Sequence, residues 1–314
     1  MPTLSPTQAP LPGEDRRIWQ AFRHHSRTFS LAALLLPRPV RMPVATLYLF
    51  CRTIDTIADE RVLEVGAQAA LAELERAEAD LQATLAGHPP PVMLWRRLAE
   101  VHASYTLWPA PLIELIDGAR WDLEGRVVDT EADLIHYSNL VGGSVGAMML
   151  PFLVEDPAEA AALEEPARAL GIAMQITNIV RDVGEDQQRL KRLYLPTTWL
   201  NEMGLTPTTL KGTTPEGAPP PAYPALLERA MQLAEAYFEE GMQGIGALPA
   251  GARLGIRAAA RMYREIMNEV RARHYDNLTQ RAYVPLGRKV RRIVHDGYQR
   301  RRRRFRPLPD AVPS

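Results

Sequence analysis

Apolar side chains recur at every third or fourth position along most of the chain, the spacing of one face of an α-helix. One such series runs through Leu227, Ala230, Ala234 and Tyr237. Strict alternation of apolar and polar residues, the pattern of a half-buried strand, is nearly absent. The pattern therefore predicts helices over residues 14–25, 40–61, 67–86, 91–107, 110–125, 130–152, 157–187, 223–245, 250–274 and 284–301.

The helical pattern is interrupted most clearly between Thr206 and Pro224, where six prolines fall. Proline lacks the backbone N–H that a helix interior needs, so we expect residues 206–224 to form a mobile loop. Residues 1–13 and 307–314 are expected to be disordered. The remainder predicts a single all-α domain over 14–306, with the helices arranged around a central cavity.

The predicted helix 40–61 carries a polar stripe on an otherwise apolar surface. At about 100° per residue, Tyr48, Arg52, Asp55 and Asp59 fall within roughly 60° of one another. Apolar residues such as Leu47, Phe50 and Ile54 cover the rest of its circumference. Such a helix is expected to be buried on several sides, and two buried carboxylates one turn apart need a compensating cation.

A second stripe lies on the predicted helix 157–187. Gln175, Asn178, Asp182 and Asp186 fall within about 80° on the same helical geometry. If the two helices face each other, the cavity between them collects four carboxylates and an amide. Magnesium prefers such oxygen ligands and completes its coordination with phosphate oxygens of the substrate, so the pattern indicates a site for an anionic diphosphate.

A plainer interpretation of each feature stands beside the functional one. A single pair of aspartates one turn apart is often a solvated helix face, and Arg52 and Arg181 could be ordinary salt-bridge partners. Phe29, Tyr48, Tyr137 and Trp121 are candidates for stabilising positive charge in the site, or they are core aromatics. The small residues Gly142, Gly143 and Gly146 either let helices approach closely or leave room for a substrate chain.

Composition narrows the class of protein. Lys and Arg (37) balance Asp and Glu (37), which excludes a strongly basic nucleic-acid binder. A single cysteine, Cys51, excludes an intramolecular disulfide framework and a multi-cysteine zinc site. No secretory signal pattern opens the chain, and the longest uncharged run, residues 138–154, is short for a bilayer span and is interpreted as a buried helix. A cytoplasmic location is expected.

These residues resemble the squalene/phytoene synthase family, and the resemblance extends from about His25 to Arg291. The matching segments occur in the family's order, and the most specific is Q-I-T-N-I-V-R-D-V-G-E-D (175–186) followed by R-L-Y-L-P (192–196). The remaining matching segments are S-R-T-F (26–29), L-Y-L-F-C-R-T-I-D-T-I-A-D-E (47–60), D-G-A-R-W-D-L (117–123), Y-S-N-L-V-G-G-S-V-G (137–146), R-M-Y-R-E-I (261–266) and R-A-Y-V (281–284).

The resemblance implies the all-α isoprenoid-synthase fold, with two facing Asp-rich helices, and specific residue roles. The expected ligands of Mg²⁺, with Mn²⁺ as an alternative, are Asp55, Asp59, Asn178, Asp182 and Asp186. The residues expected to hold diphosphate are Ser26, Thr28, Arg52, Gln175, Arg181, Tyr263 and Arg281. Tyr48 and Tyr137 match tyrosines near the reacting carbons and join the four aspartates as expected catalytic residues. Thr56 stands where many family members have a second acidic residue, which leaves the number of metal ions open.

The reaction implied is the head-to-head condensation of two prenyl diphosphates through a cyclopropylcarbinyl diphosphate. The resemblance is nearest to bacterial phytoene synthases, which implies two geranylgeranyl diphosphates, carotenoid biosynthesis and no requirement for NADPH. The alternative is C15 condensation to dehydrosqualene, squalene or presqualene diphosphate. Three different classes of protein also stay open: a head-to-tail prenyltransferase, a terpene cyclase, and a non-catalytic relative that acts as a binding or assembly protein.

The end of the chain is strongly basic. Residues 288–306 hold ten Arg and Lys residues against one acid, Asp296. The plain interpretation is a solvated terminal helix. A second is peripheral attachment to an anionic membrane, at the inner face if the protein is bacterial, because basic residues near such a surface are attracted to it. Nucleic-acid binding is not expected, because the basic residues of the run do not alternate regularly with aromatic ones.

Overall fold

A computed structural model describes residues 13–211 and 219–279, and within these ranges the chain is helical without a β-strand. The all-α prediction is confirmed. The α-helices are α1 (Glu14–His25), α2 (Arg27–Ala33), α3 (Arg38–Thr56), α4 (Val62–Val65), α5 (Ala67–Leu85), α6 (Met93–Tyr105), α7 (Pro109–Leu123), α8 (Glu131–Ser138), α9 (Ser144–Met148), α10 (Leu150–Leu153), α11 (Pro157–Ala162), α12 (Glu164–Glu185), α13 (Thr197–Glu202), α14 (Tyr223–Gly244) and α15 (Ala250–Ala272).

Three π-helical turns extend or join these helices, at Ile57–Arg61, Asn139–Gly143 and Asp186–Leu190. A π turn holds more residues than an α-helical turn, so side chains four apart no longer align as they do on an α-helix. The predicted continuous helix 40–61 is therefore α3 followed by a π turn. Asp59 and Asp186 lie in π turns, which the uniform 100° spacing did not anticipate.

Two predicted helices are wrong as single elements. The range 130–152 is divided into α8, a π turn, α9 and α10. The range 157–187 is divided at Leu163 into α11 and α12. The Asp156 carboxylate caps the start of α11 by accepting the N–H of Ala158 at 2.7 Å, whereas α12 starts without a side-chain cap. The described residues also form three short helices that were not predicted, α2, α4 and α13. The first turn of α2 is capped by the Ser26 hydroxyl, which accepts the N–H of Phe29 at 3.2 Å.

The predicted loop 206–224 overlaps structure at both of its described ends. Thr209–Lys211 form one 3-10 turn with Leu210 buried, and α14 begins at Tyr223. Residues 1–12, 212–218 and 280–314 lie outside the described residues, and with them the predicted helix 284–301, the basic run 288–306 and both predicted disordered ends. Among the described helices none is long and apolar enough to cross a membrane.

The centre of the fold is α12, which packs against α8, α9, α14 and α15. Glycines allow the closest of these contacts. A Cβ on Gly146 would lie 2.0 Å from the Ala167 carbonyl oxygen, and one on Gly171 would lie 2.1 Å from the Gly142 carbonyl oxygen. The packing of the glycine cluster therefore requires close helix approach, and Gly142 and Gly146 also line the cavity described below, so neither interpretation excludes the other.

Candidate active site

A cavity of about 460 Å³ runs between α2, α3, α9, α12 and α15. Most of its wall is aliphatic or aromatic, and its carboxylates gather where α3 and α12 end in their π turns. Aliphatic lining residues include Leu36, Leu47, Val145, Leu170 and Ile256. The cavity thus combines one polar end with a long apolar remainder.

Nine of the fourteen site residues predicted from the sequence line this cavity. They are Tyr48, Asp55, Asp59, Tyr137, Gln175, Asn178, Arg181, Asp182 and Asp186. Ser26, Arg52 and Tyr263 do not line it. Arg281 lies outside the described residues, and the side chain of Thr28 is likewise not described.

The residues behind the lining support it. Ser26 caps α2. Tyr263 packs on the lining ring of Phe29, with ring centroids 5.1 Å apart, and Arg52 forms an ion pair with Glu60. Trp121 is buried and lies outside the lining, 6.1 Å from the ring of Tyr137, so its core interpretation holds. Phe22 is a lining aromatic that the sequence analysis missed, with its ring 4.7 Å from that of Tyr48.

Each of the two carboxylate stripes that line the cavity has an arginine partner. Arg192 donates to Asp59 Oδ1 at 2.7 Å and to the Ala58 carbonyl oxygen at 2.8 Å. This arginine follows Lys191, whose left-handed φ of 59° ends the second stripe's π turn and redirects the chain. Arg181 donates through Nε to Asp182 Oδ1 at 2.7 Å, so in this structure it is a salt-bridge partner of the second stripe.

Asp122 is a site residue that the sequence analysis missed. Its two oxygens accept the hydroxyls of Tyr137 and Tyr194, each at 2.9 Å, and Arg192 lies 3.6 Å away. The two tyrosine rings stack with centroids 4.7 Å apart. Asp122 has no second carboxylate one turn away on α7, so it does not form a stripe like those of the two Asp-rich helices. The sequence pattern therefore did not identify it.

Crowding of carboxylates raises their pKa values. Burial, followed by repulsion from Asp59, raises the pKa of Asp55 to about 7. Burial, followed by repulsion from Asp182, raises the pKa of Asp186 to about 8. Burial also raises the pKa of Asp122, to about 6, although Arg192 opposes the shift. Such a group of crowded carboxylates in a cavity is typical of a functional site that binds a cation.

The donor set suits magnesium shared with a ligand. Asn178 donates from Nδ2 to Gln175 at 3.2 Å, which leaves its buried Oδ1 without a hydrogen-bond partner. A cation would satisfy that oxygen and neutralise the adjoining carboxylates. Among the described residues, however, no three carboxylate, imidazole or thiolate groups are close enough to hold one metal ion between them. Mg²⁺ often takes one or two protein carboxylates and completes its coordination with phosphate and water, so it does not need three carboxylates on one ion.

The segment after α15 braces the polar end. Asn277 is buried, accepts the Tyr223 hydroxyl at 2.6 Å, and donates to the Val180 carbonyl oxygen. Its own carbonyl oxygen accepts the N–H of Gly184 at 3.2 Å. A Cβ on Gly184 would lie 2.3 Å from the Leu278 carbonyl oxygen. This contact fixes the last turn of α12, which carries Asp182.

An all-helical array around a cavity with clustered carboxylates at one end and apolar walls beyond defines an enzyme for substrates with an anionic head and a long apolar tail. The model of the squalene/phytoene synthase family matches residues 22–288, and the chain belongs to that family. It is a prenyltransferase of the phytoene and squalene synthase type.

Individual relatives agree with this assignment. The chain is 38% identical to phytoene synthase of Rhodobacter capsulatus, over 86% of this chain and 77% of that one. It is 33% identical to 15-cis-phytoene synthase of Synechococcus elongatus, over 86% and 88%. The match to phytoene synthase 3 of Zea mays spans 63% of that longer protein. A solved dehydrosqualene synthase with a bound ligand superimposes with a TM-score of 0.80 at 32% identity, covering 92% of this chain and 97% of that one.

Proposed function

We propose that this protein joins two molecules of geranylgeranyl diphosphate head to head to form phytoene, in carotenoid biosynthesis. The observation that carries the proposal is the continuity of the carboxylate-lined end with the apolar cavity. A prenyl diphosphate has the same division into a charged head and an apolar tail. The choice of the C20 substrate rests on the two bacterial relatives, both named phytoene synthases.

The proposed metal is Mg²⁺, with Mn²⁺ as an alternative. Asp55, Asp59, Asn178, Asp182 and Asp186 would share the bound ions, each ion taking one or two carboxylates together with diphosphate oxygens, and the ions would neutralise the charge of the departing pyrophosphate. Arg181 donates to Asp182 and Arg192 donates to Asp59. When these carboxylates bind metal instead, both guanidinium groups would be able to bind phosphate oxygens. The family resemblance implies that Arg52, Ser26, Thr28, Tyr263 and Arg281 also bind the diphosphate. That assignment stays a prediction.

In the proposed reaction one substrate loses pyrophosphate, and the allylic cation adds to the C2–C3 double bond of the second substrate. Loss of a proton closes the cyclopropane ring and leaves a cyclopropylcarbinyl diphosphate. Loss of the second pyrophosphate, rearrangement and a further proton loss give the linear polyene. The rings of Phe22, Phe29 and Tyr48 line the cavity, where aromatic faces stabilise positive charge and water is excluded.

Tyr137 is suited to the proton transfer as a neutral phenol. Burial, followed by the charge of Asp122, raises the pKa of its hydroxyl above the ordinary tyrosine value, so it does not act as a phenolate. The phenol oxygen can take the substrate's proton while its own proton passes to Asp122 across the 2.9 Å hydrogen bond. Released pyrophosphate is the alternative acceptor.

Product analysis tests the proposal. The protein is incubated with Mg²⁺ and either geranylgeranyl or farnesyl diphosphate, with and without NADPH, and extracts are analysed by mass. Phytoene from the C20 substrate without NADPH is the expected result, and a chelator should abolish it. A C30 product from farnesyl diphosphate would instead favour the second candidate, which the dehydrosqualene synthase structure supports, and NADPH dependence would separate squalene from dehydrosqualene.

Absence of product would contradict the proposal. If folded protein still binds Mg²⁺ and pyrophosphate without turnover, it acts as a non-catalytic binding or assembly protein, and Thr56 is the first residue to replace by aspartate. Peripheral attachment to anionic membrane through 288–306 and a cytoplasmic location belong to the same proposal. The attachment would be contradicted if the vesicle-bound fraction changed neither with the content of anionic lipid nor on deletion of residues 300–314.

A further inference from the structure

Two large apolar side chains lie exposed where the end of α2 meets the start of α15. Leu34 is 47% exposed and Leu254 is 51% exposed. The two helices are in contact, since a Cβ on Gly255 would lie 2.8 Å from Leu36 Cδ2 and one on Gly251 would lie 3.1 Å from Pro37 Cγ. We name the surface formed by Leu34, Pro37, Arg38, Arg253 and Leu254 the α2–α15 face.

The charge around this face is entirely positive along both segments that build it. Neither residues 26–54 nor residues 241–264 contain an aspartate or glutamate, and the arginines of these segments nearest to the face are Arg38, Arg41, Arg253 and Arg257. Arg38 and Arg253 are exposed. The whole chain has equal numbers of acidic and basic residues, so this local excess is a property of the face. Exposed leucines beside arginines complement an anionic lipid surface, which offers acyl chains below a layer of negative charge.

The face also lies beside the apolar end of the cavity. Leu36, Gly255 and Ile256 line the cavity, and they are one or two residues from the exposed leucines. Asp55 is 17 residues further along α3 than Arg38, a distance of about 26 Å at the helical rise per residue. The carboxylate end and the α2–α15 face are therefore at opposite ends of α3.

We propose that the α2–α15 face docks on an anionic lipid surface and sets the apolar end of the cavity against the bilayer. This proposal goes beyond the proposed reaction and uses a surface separate from the basic run 288–306. Docking in this orientation keeps the carboxylate end in water, where diphosphate and metal arrive. It gives prenyl chains and a hydrocarbon product a short apolar path between cavity and lipid.

Site-directed labelling tests the orientation in the full-length protein. Leu34→Cys and Leu254→Cys variants receive an environment-sensitive fluorophore, and the native thiol of Cys51 is buried. The matched control is Leu63→Cys on α4, where Leu63 is 55% exposed. Vesicles of phosphatidylcholine, with or without phosphatidylglycerol, carry a quencher on their acyl chains. The expected result is a blue shift with quenching at positions 34 and 254, absent at 63, and only with phosphatidylglycerol.

Several outcomes would overturn the proposal. If the protein binds vesicles while all three labels stay in water, it docks through another surface, such as the run 288–306. Equal shifts without phosphatidylglycerol would remove the role of charge, and shifts that depend on protein concentration without vesicles would show a second copy on the face. Failure to bind vesicles at all would also refute it.

Sedimentation gives an independent measurement. Leu34→Ser combined with Leu254→Ser should lower the vesicle-bound fraction about fivefold or more, because the apolar contact is lost. The control pair is Leu63→Ser with Val127→Ser, since Val127 is 57% exposed. Turnover in detergent solution should be unchanged by either pair, so a failure of docking is distinguishable from a failure of the proposed reaction. Equal sedimentation of both pairs would contradict the proposal.

Discussion

The two ends of the cavity are built on different principles. At the polar end, residues far apart in sequence are joined by hydrogen bonds and ion pairs, such as Arg192 with Asp59 and Tyr194 with Asp122. At the apolar end, helices meet through glycines and aliphatic side chains. The polar end holds carboxylates with raised pKa values, which disfavours the folded state, whereas the apolar end supplies core packing. The residues of the polar end are therefore explained by function, and the residues of the apolar end are explained by their contribution to stability.

The sharpest test of this contrast is Asp55→Asn at the polar end, where burial and repulsion from Asp59 raise the pKa of the Asp55 carboxyl to about 7. The change keeps the size of the side chain but removes a charge that the proposed metal requires, so kcat should fall about a hundredfold or more. The thermal midpoint should stay the same or rise. Steady-state kinetics at saturating Mg²⁺ and thermal denaturation measure the two effects, with Glu75→Gln on the exposed surface of α5 as the control. Turnover at the parent rate would refute the metal assignment.

The opposite behaviour is expected for Gly146→Ala, where α9 packs on α12. The new methyl group would collide with the Ala167 carbonyl oxygen, 2.0 Å away, and such overpacking costs about 1–3 kcal/mol of unfolding free energy. Chemical denaturation measures the loss. The matched control is Gly246→Ala, because a Cβ there meets only the Gln243 carbonyl oxygen at 3.7 Å. Equal stability of the two variants would show that the glycine contact is not a tight one.

The sequence predicted the apolar architecture better than the polar network, for a physical reason. Helical periodicity comes from local contacts, and it located α1, α5, α14 and α15 closely. It did not reveal the break at Leu163, where α11 ends and α12 begins without a side-chain cap. The seven residues of α2 are too few to show a period.

The residues of the candidate site divide in the same way. Both stripes are local patterns, and the carboxylates on them that were predicted to meet do line one cavity. The Asp122 network joins α7, α8 and the segment after the third π turn, so no spacing within one helix could reveal it. The π turns shift Asp59 and Asp186 from ideal α-helical positions, and no residue pattern in the sequence analysis marked them.

A smaller effect is expected from Asp122→Asn, which alters the positioning of Tyr137 and the charge beside Arg192. We expect kcat to fall about tenfold, the range of a displaced proton-transfer group, with little change in KM. Because protonation of Asp122 removes the same charge, the parent enzyme should lose activity as pH falls through about 6, and the variant should lack this acid limb. Tyr194→Phe removes one hydrogen bond but keeps the charge and is the control. An unchanged acid limb in Asp122→Asn would exclude this role.

The last expected effect concerns the stability of the metal-free protein and follows from Asp186. In the unfolded chain its pKa is the ordinary value of about 3.9, whereas the folded protein raises it to about 8. Between these values the folded state binds more protons, so stability falls as pH rises. The thermal midpoint in chelator should decrease from pH 5 to pH 8, and Asp186→Asn should decrease less, while Glu75→Gln follows the parent. Added Mg²⁺ should reverse the decrease in the parent, because a cation at the carboxylates replaces the proton. A parent and an Asp186→Asn variant with the same pH dependence would show that the polar end does not oppose folding, and the contrast between the two ends would then rest on catalysis alone.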